Sequence, residues 1–309
     1  MTTASRLRIG VHAGRLAGSL ADEVTAALHQ AHPALEVECV KVGQPGDHSH
    51  DRSRPSGGFT HELDEALREG RIDAALHDLQ DLPAVRPDAF VLAAVPRRRH
   101  PFDVLFTRDG RILDELDGGE RVAASSTSRR SQILAYREDI RVATVRGTVE
   151  SQWRQLQDGA FEALVMAMID AERLGMQGEV SEIFTTEVCV PYPGQGAVGL
   201  ETLVERKDAL ATLRVLDDGA SHAAVVAERA WLAELGDDLD LPVGALANVV
   251  DKHLVMEAVV LSLDGLEVVR DEVEGPVASA EALGAKLAAR MMANGAEDVL
   301  GALRDGGES

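Results

Sequence analysis

Aromatic side chains are scarce: two Trp, two Tyr and six Phe in 309 residues, 3% of the chain. A core built without them has to be aliphatic, and with hydrophobic residues at 45% there is enough Ala, Val and Leu to form one. Positive charge is also short, 31 Lys and Arg against 52 Asp and Glu, for a net charge of −21. That deficit argues against a general nucleic-acid binder, which carries a basic face. It still leaves room for a local basic cleft inside an acidic shell, so the placement of the arginines matters more than their sum. Only two cysteines occur, Cys39 and Cys189, both within apolar β-branched runs. They are expected as two buried, reduced thiols rather than as a disulfide or a nucleophile. No apolar run reaches the roughly 20 residues of a membrane span. Residues 1–5 are polar and do not read as a secretory signal. A soluble, cytoplasmic protein with no nucleic-acid or membrane partner is expected.

The length is enough for two or three domains. Strand-like and helix-like segments alternate through the first two-thirds. Residues 7–11, 35–42 and 72–79 read as strands, and 16–30 and 60–68 as helices, their apolar positions recurring at helical spacing. The alternation resumes with strands at 121–125, near 141–147 and at 163–169, and with helices at 128–137 and 150–157. Such βα alternation implies an α/β fold with mostly parallel sheets and helices on both faces. The last stretch differs. VGALANVV, HLVMEAVVLS and LEVVRDEVEG alternate like antiparallel strands, and residues 279–293 form one amphipathic helix with Gly295 beyond its end. This reads as a small α+β domain with a frayed tail from residue 304.

Open α/β sheets bind ligands beyond the carboxyl ends of their strands, and three polar groups fall at such places. In His77-Asp78-Leu79-Gln80-Asp81-Leu82-Pro83 a strand ends in two carboxylates and a proline turn. On the residues alone, Asp81 caps a turn and Asp78 is solvated, although a carboxylate there could also shuttle a proton or stabilise a cation. Ser125-Ser126-Thr127-Ser128-Arg129-Arg130 places hydroxyls and two guanidiniums between a strand and a helix, which makes an anion site. Arg146 and Gly147 follow the next strand. Pro193-Gly194-Gln195-Gly196-Ala197-Val198-Gly199 is either a turn with ligand-facing amides or a hinge between domains. Asp47, His48 and His50 lie in a polar loop and are read as solvated rather than as metal ligands. Arg97-Arg98-Arg99-His100 is read as a surface turn.

Taken in order, these pieces resemble the porphobilinogen deaminase (hydroxymethylbilane synthase) family. LRIGVHAGRLA is similar to its opening strand and helix, HDLQDLP to its HSMKD-VP segment, and AASSTSRRSQIL to its TSSLRR element. VRGTVESQWRQLQDG is similar to its RGN turn and helix, PYPGQGAVGLE to its GQGA segment, and AERAWLAEL to the start of its third domain. The resemblance implies two α/β domains like those of periplasmic binding proteins around a cleft (residues 1–98 with 200–220, and 99–199), and a small C-terminal α+β domain (221–309). It implies a monomer that joins porphobilinogen units with loss of ammonia on a dipyrromethane primer held through a thioether to a cysteine. It assigns Asp81 as the catalytic aspartate. Ser126, Thr127, Arg129, Arg130, Arg146, Gly147 and Gln195, with His12 and Gln80, become the residues facing cofactor and substrate.

The chain departs from that pattern where charge and anchoring matter. In the segment LGDDLDLPVG, Leu239 stands at the position of the cysteine, and a leucine cannot form a thioether. His12 and Gln152 replace arginines, Gln80 a lysine, and Asp78 a serine. No covalent dipyrromethane is expected. The cleft is expected to take a small carboxylate-bearing ligand, either as a repurposed enzyme acting on a pyrrole or a similar substrate, or as a non-catalytic binder. The third alternative, the family reaction itself, would need the primer held non-covalently.

Overall fold

The computed structural model describes residues 5–12, 15–43, 60–236 and 240–306. Asp47, His48, His50 and Leu239 therefore lie outside the described residues. The chain opens with β1 (Arg6–His12), α1 (Arg15–Ala31), β2 (Glu36–Val42), α2 (His61–Arg68), β3 (Ala74–Asp78) and β4 (Phe90–Ala94). It then crosses to a second unit: β5 (Asp103–Thr107), β6 (Arg121–Ala124), α3 (Thr127–Tyr136), β7 (Arg141–Thr144), α4 (Val149–Gln157), β8 (Ala163–Ala167), α5 (Met168–Arg173) and β9 (Glu182–Ile183). It returns as β10 (Val198–Leu203) and α6 (Lys207–Leu213). The last unit is α7 (Gly219–Leu235), β11 (Val243–Val250), β12 (His253–Leu261), β13 (Val268–Pro276), α8 (Ala280–Met291) and α9 (Glu297–Gly306).

Two five-stranded sheets result, ordered β2-β1-β3-β10-β4 and β7-β6-β8-β5-β9. The first three strands of each are parallel, as the βα alternation predicts. The crossings modify that expectation. β10 arrives antiparallel between β3 and β4, and β5 lies antiparallel between β8 and β9. Each of the two domains thus holds a strand that the chain enters from the other, and the cleft lies between them. The third domain is an antiparallel meander, β11-β12-β13, covered by α7 and α8. Its core is aliphatic apart from buried Trp231 and Tyr192.

Local chemistry explains most boundaries. β5 and β8 are buried along their whole length and read as continuous apolar runs. Residues Leu20, Ala21, Val24 and Leu28 of α1 recur at helical spacing and pack on β1 and β3. Ser126, Thr148 and Asp218 cap α3, α4 and α7 by accepting from Arg129 N, Ser151 N and Ser221 N at 3.2, 3.2 and 2.9 Å. The strand expected over 163–169 stops at Ala167, and the chain turns into α5, so Asp170 and Arg173 project from a helix. The tail expected to fray from residue 304 is helical through Gly306. Cys39 is exposed rather than buried, because β2 is an edge strand whose outer positions meet solvent.

The segment Arg97 to His100 is part of the crossing, and Arg98 is not a surface residue in function. Its guanidinium donates to fully buried Glu228 of α7 at 2.5 and 3.2 Å, and to Gln195 O at 2.9 Å. Glu228 also accepts from Gly194 N at 2.7 Å and from Ala247 N at 2.8 Å. One carboxylate therefore joins both crossing segments, α7 and β11. Removing one partner from a buried, fully bonded ion pair destabilises by about 3–5 kcal/mol. Glu228→Gln is expected to lower the unfolding free energy by about that amount in urea titrations.

A second buried pair lies in the first domain. Arg86 donates to Glu201 at 2.9 and 2.7 Å and to Asp64 at 2.6 Å, with His77 Nε2 3.6 Å from Glu201. Burial pushes the Glu201 carboxyl up, but His77 and Arg86 prevail and hold it at about 2, below the ordinary 4.5. A carboxyl depressed in the folded state adds stability that is complete above about pH 4.5 and is lost as pH falls through about 2. Glu201→Gln is expected to flatten the dependence of stability on pH across that window, measured by denaturation at a series of pH values.

Candidate functional site

The carboxyl ends of β3 and β6 face the region between the first two domains. β3 ends at Asp78, and the chain turns at once, Asp81 N donating to Asp78 O at 3.1 Å. Gln80 is buried and Asp81 partly exposed. This turn is backed by the second crossing. Gly194, at φ +80°, lies so close to it that an added Cβ would sit 2.8 Å from the Leu79 carbonyl carbon. At Gly196, φ +75°, an added Cβ would meet His100 O at 2.5 Å, so the two crossings touch as well. Of the two readings of the glycine turn, the hinge fits: the Gly194 amide is bonded to Glu228 and the Gly196 carbonyl accepts from Arg99 N at 3.1 Å.

β6 leads into the first turn of α3, where the hydroxyls and arginines divide into different roles. Ser126 is the cap. Thr127 donates to Asp240 Oδ1 at 2.7 Å and Ser128 to Val243 O at 2.6 Å, which docks the third domain on this turn. Arg129 is buried and spends its guanidinium internally: Nε on Asp103 Oδ1 at 2.8 Å, Nη1 on Ser125 at 3.2 Å, Nη2 on Gln195 Oε1 at 3.1 Å. Burial draws its charge down, while Asp103 and Asp170 outweigh that and keep it above its ordinary range. Gln195 is 1% exposed and also donates to Pro101 O at 2.6 Å and to Asp103 at 3.1 Å. Both residues thus link the second crossing to β5 through Asp103. In a crevice that excludes water, a buried guanidinium requires such partners.

The other predicted cations are differently placed. Arg130 is half-buried, and its Nε is buried with no hydrogen-bond partner. Arg146 is exposed and forms no hydrogen bond or ion pair with the described residues. Gly147, at φ +102°, offers its carbonyl to Gln152 Nε2 at 2.9 Å, so Gln152 secures the turn that carries Arg146. His12 ends β1 half-buried.

Arg173 was not foreseen, since α5 reads as strand in sequence. It grips Asp78 from the opposite domain, Nη2 to Oδ1 at 2.6 Å and Nη1 to Oδ2 at 3.1 Å, with Asp170 at 3.7 Å. Burial opposes its charge, and Asp78, Asp170 and Asp81 outweigh burial. Asp78 is therefore not simply solvated. The only sign of this in the sequence is the surplus of acids around residues 78–81 and 170–172.

The two cysteines lie in different settings. Cys39 sits on the outer edge of the first sheet beside Thr25, at 3.4 Å. Cys189 is buried against Asp103 Oδ2 at 3.4 Å, where burial and the neighbouring carboxylate push its thiol well above the ordinary range. Among the described residues no group of three or more His, Cys, Asp or Glu could hold a metal ion, and no helix is long and apolar enough to cross a membrane. Arg129→Met is expected to destabilise the fold by about 3–5 kcal/mol, by leaving Asp103 buried without its cation. Arg146→Met is expected to shift stability by no more than about 0.5 kcal/mol. Parallel denaturant titrations of the two variants measure the contrast.

The sequence pattern described as "Porphobilinogen deaminase, dipyromethane cofactor binding domain" matches residues 7–211, and that of "Porphobilinogen deaminase, C-terminal domain" matches residues 222–293. Porphobilinogen deaminase of Desulforudis audaxviator is 39% identical over 302 residues, covering 96% of this chain and 98% of that one. The protein of the same name from Roseiflexus sp. is 37% identical over 298 residues, covering 95% and 98%. Among solved structures, the methionine-binding protein MetQ aligns at a TM-score of 0.42 with 16% identity, over 68% of this chain and 89% of that one. With matches that run in order from the first strand to the last domain, the chain belongs to the porphobilinogen deaminase family.

Proposed function

We propose that the cleft binds and acts on a small pyrrole carrying one or two carboxylates, without a covalently attached dipyrromethane. The observation that carries this reading is the Nε of Arg130, buried in the first turn of α3 with no acceptor. An unsatisfied buried donor costs about 1–3 kcal/mol, and a ligand carboxylate supplies the missing acceptor. Arg146 offers a second, exposed guanidinium. Of the predicted clamp, these two remain open, because Arg129 is already bonded. Two open cations suit a ligand of low charge better than a growing polypyrrole with two carboxylates per ring. The thiols do not match the family's primer attachment: Leu239 stands at that position in the sequence, Cys39 lies on an edge strand and Cys189 is buried against Asp103.

Asp81 has the chemistry for the reacting end. Its carboxylate lies at the strand terminus, close enough to Arg173 to raise that guanidinium's affinity for its proton. When an aminomethylpyrrole loses ammonia, the ring is left as an azafulvene cation, and a carboxylate at this position stabilises the charge or exchanges the pyrrole N–H proton.

Purified protein is to be incubated with porphobilinogen, following intact mass, ammonia release and the visible spectrum. Saturable binding and ammonia release with an unchanged protein mass are expected. Asp81→Asn is expected to leave affinity within a few-fold and lower turnover by about 10²-fold or more. A mass gain equal to a dipyrromethane, or uroporphyrin in the mixture, would overturn the reading. Binding with no turnover to lose would identify a non-catalytic binder. Leu239→Cys is expected not to restore the family reaction even with primer supplied, since the cationic positions held by His12, Gln80 and Gln152 are unchanged.

A further inference from the structure

We propose that the cavity between α1, α5 and the first crossing is a second ligand site, separate from the cleft, for a small molecule with an apolar ring or short chain and one carboxylate. The cavity has a volume of about 240 Å³. Its wall is mostly apolar: Leu20, Val24 and Ala27 from one face of α1, Ile169 from α5, Val198 from β10 and Leu216 after α6. The residues assigned to the cleft, Asp81, Arg130, Arg146, His12 and Gln80, do not line it. An apolar cavity of about 150 Å³ stays dry and takes up benzene, so this one has room for a ring with a short chain.

The charges at the wall select the head group. Four charged residues line the cavity: Glu23, Arg97, Arg99 and Arg173. Three of them are spent within the protein. Arg99 pairs with Glu23 at 2.9 Å and with Glu172 at 3.3 Å. Arg173 holds Asp78 through two bonds, at 2.6 and 3.1 Å. Arg97 is exposed and forms no hydrogen bond or ion pair with the described residues. Asp218 feels its charge, but that carboxylate already caps α7 through Ser221 N at 2.9 Å. An apolar floor with one uncommitted guanidinium beside it fits a monoanion with an apolar body. A dianion would leave its second charge against the apolar wall, and a cation would face the guanidinium. The occupant also touches both α/β domains, since α1 and β10 belong to the first and α5 to the second. Its binding therefore stabilises the arrangement that it bridges.

Hydrocinnamate is the probe, with hydrocinnamyl alcohol as its neutral counterpart and propionate as the head group alone, at ionic strength matched with chloride. Calorimetry on the full chain is expected to show one saturable site for hydrocinnamate, with a rise in melting temperature. The alcohol is expected to bind about tenfold or more weaker, and propionate not to saturate at the same concentrations. Arg97→Gln, at an exposed position, is expected to weaken hydrocinnamate about tenfold and to leave the alcohol unchanged. Ala27→Trp, also at an exposed position, fills the cavity and is expected to abolish both. Arg146→Met removes a cation of the cleft and is expected to change neither. Absence of saturable hydrocinnamate binding would overturn the proposal. So would binding that survives Ala27→Trp, is indifferent to Arg97, or is lost with Arg146. None of these outcomes depends on porphobilinogen, so the reading of the cleft stands or falls separately.

Discussion

Glu228 is the interaction on which the arrangement of the three domains depends. A helix of the third domain, α7, carries a fully buried carboxylate, and three other elements of the chain bond to it: Arg98 on the first crossing, Gly194 on the second and Ala247 on β11. Burying a carboxylate in an aliphatic core is costly unless each oxygen is bonded. Here each oxygen receives two donors, one from Arg98 and one from a backbone amide. The crossings are thereby fixed relative to the third domain, and their fixed position determines where β5 and β10 enter the two sheets. The cleft inherits its shape from that seam, because the Gly194–Gln195 turn backs both the Asp81 turn and Arg129.

The same rule governs the cleft arginines. The chain is strongly acidic, yet its interdomain arginines are few and mostly committed. Arg98 is bonded to Glu228, Arg129 to Asp103, and Arg173 to Asp78 with Asp170 beside it. Arg99 spans Glu23 of α1 and Glu172 of α5 at 2.9 and 3.3 Å. Electrostatics in this seam serve mainly to hold domains together, and a ligand has to work with the guanidiniums that are left. Arg130 and Arg146 differ from the others in that, among the described residues, no acid from a neighbouring element reaches them.

Much of this was legible in the sequence where one element explained itself. The βα alternation gave β1, α1, α3, α4 and β8 to within a residue or two, because each has a buried stripe or run and a local cap. The motifs at strand ends marked the Asp81 turn and the first turn of α3 as polar segments. Partnership across the chain was not legible. Arg98 looks like part of a surface run until Glu228, 130 residues on, is known to face it. That Asp103 bonds both Arg129 and Gln195 is likewise invisible in the sequence. Arg173 was hidden because MAMIDAER continues the apolar run of β8, and the change from strand to helix at Met168 depends on tertiary packing, not on local period. Cys39 has the neighbours of a core residue, and only its place on an edge strand exposes it.

Arg173 and Arg130 show two outcomes for a cation taken out of water. A pocket lined by arginines is stable when its anionic ligand is permanently present, and a thioether-linked primer would be permanent. Arg173 is buried, meets Asp78 in two hydrogen bonds and has Asp170 at 3.7 Å, so its charge is balanced by the protein's own carboxylates. A buried, unpaired guanidinium is destabilising by several kcal/mol. An aspartate at position 78 removes that burden by providing a carboxylate from the protein itself. Arg130 has no such carboxylate among the described residues, and its buried Nε is left without an acceptor.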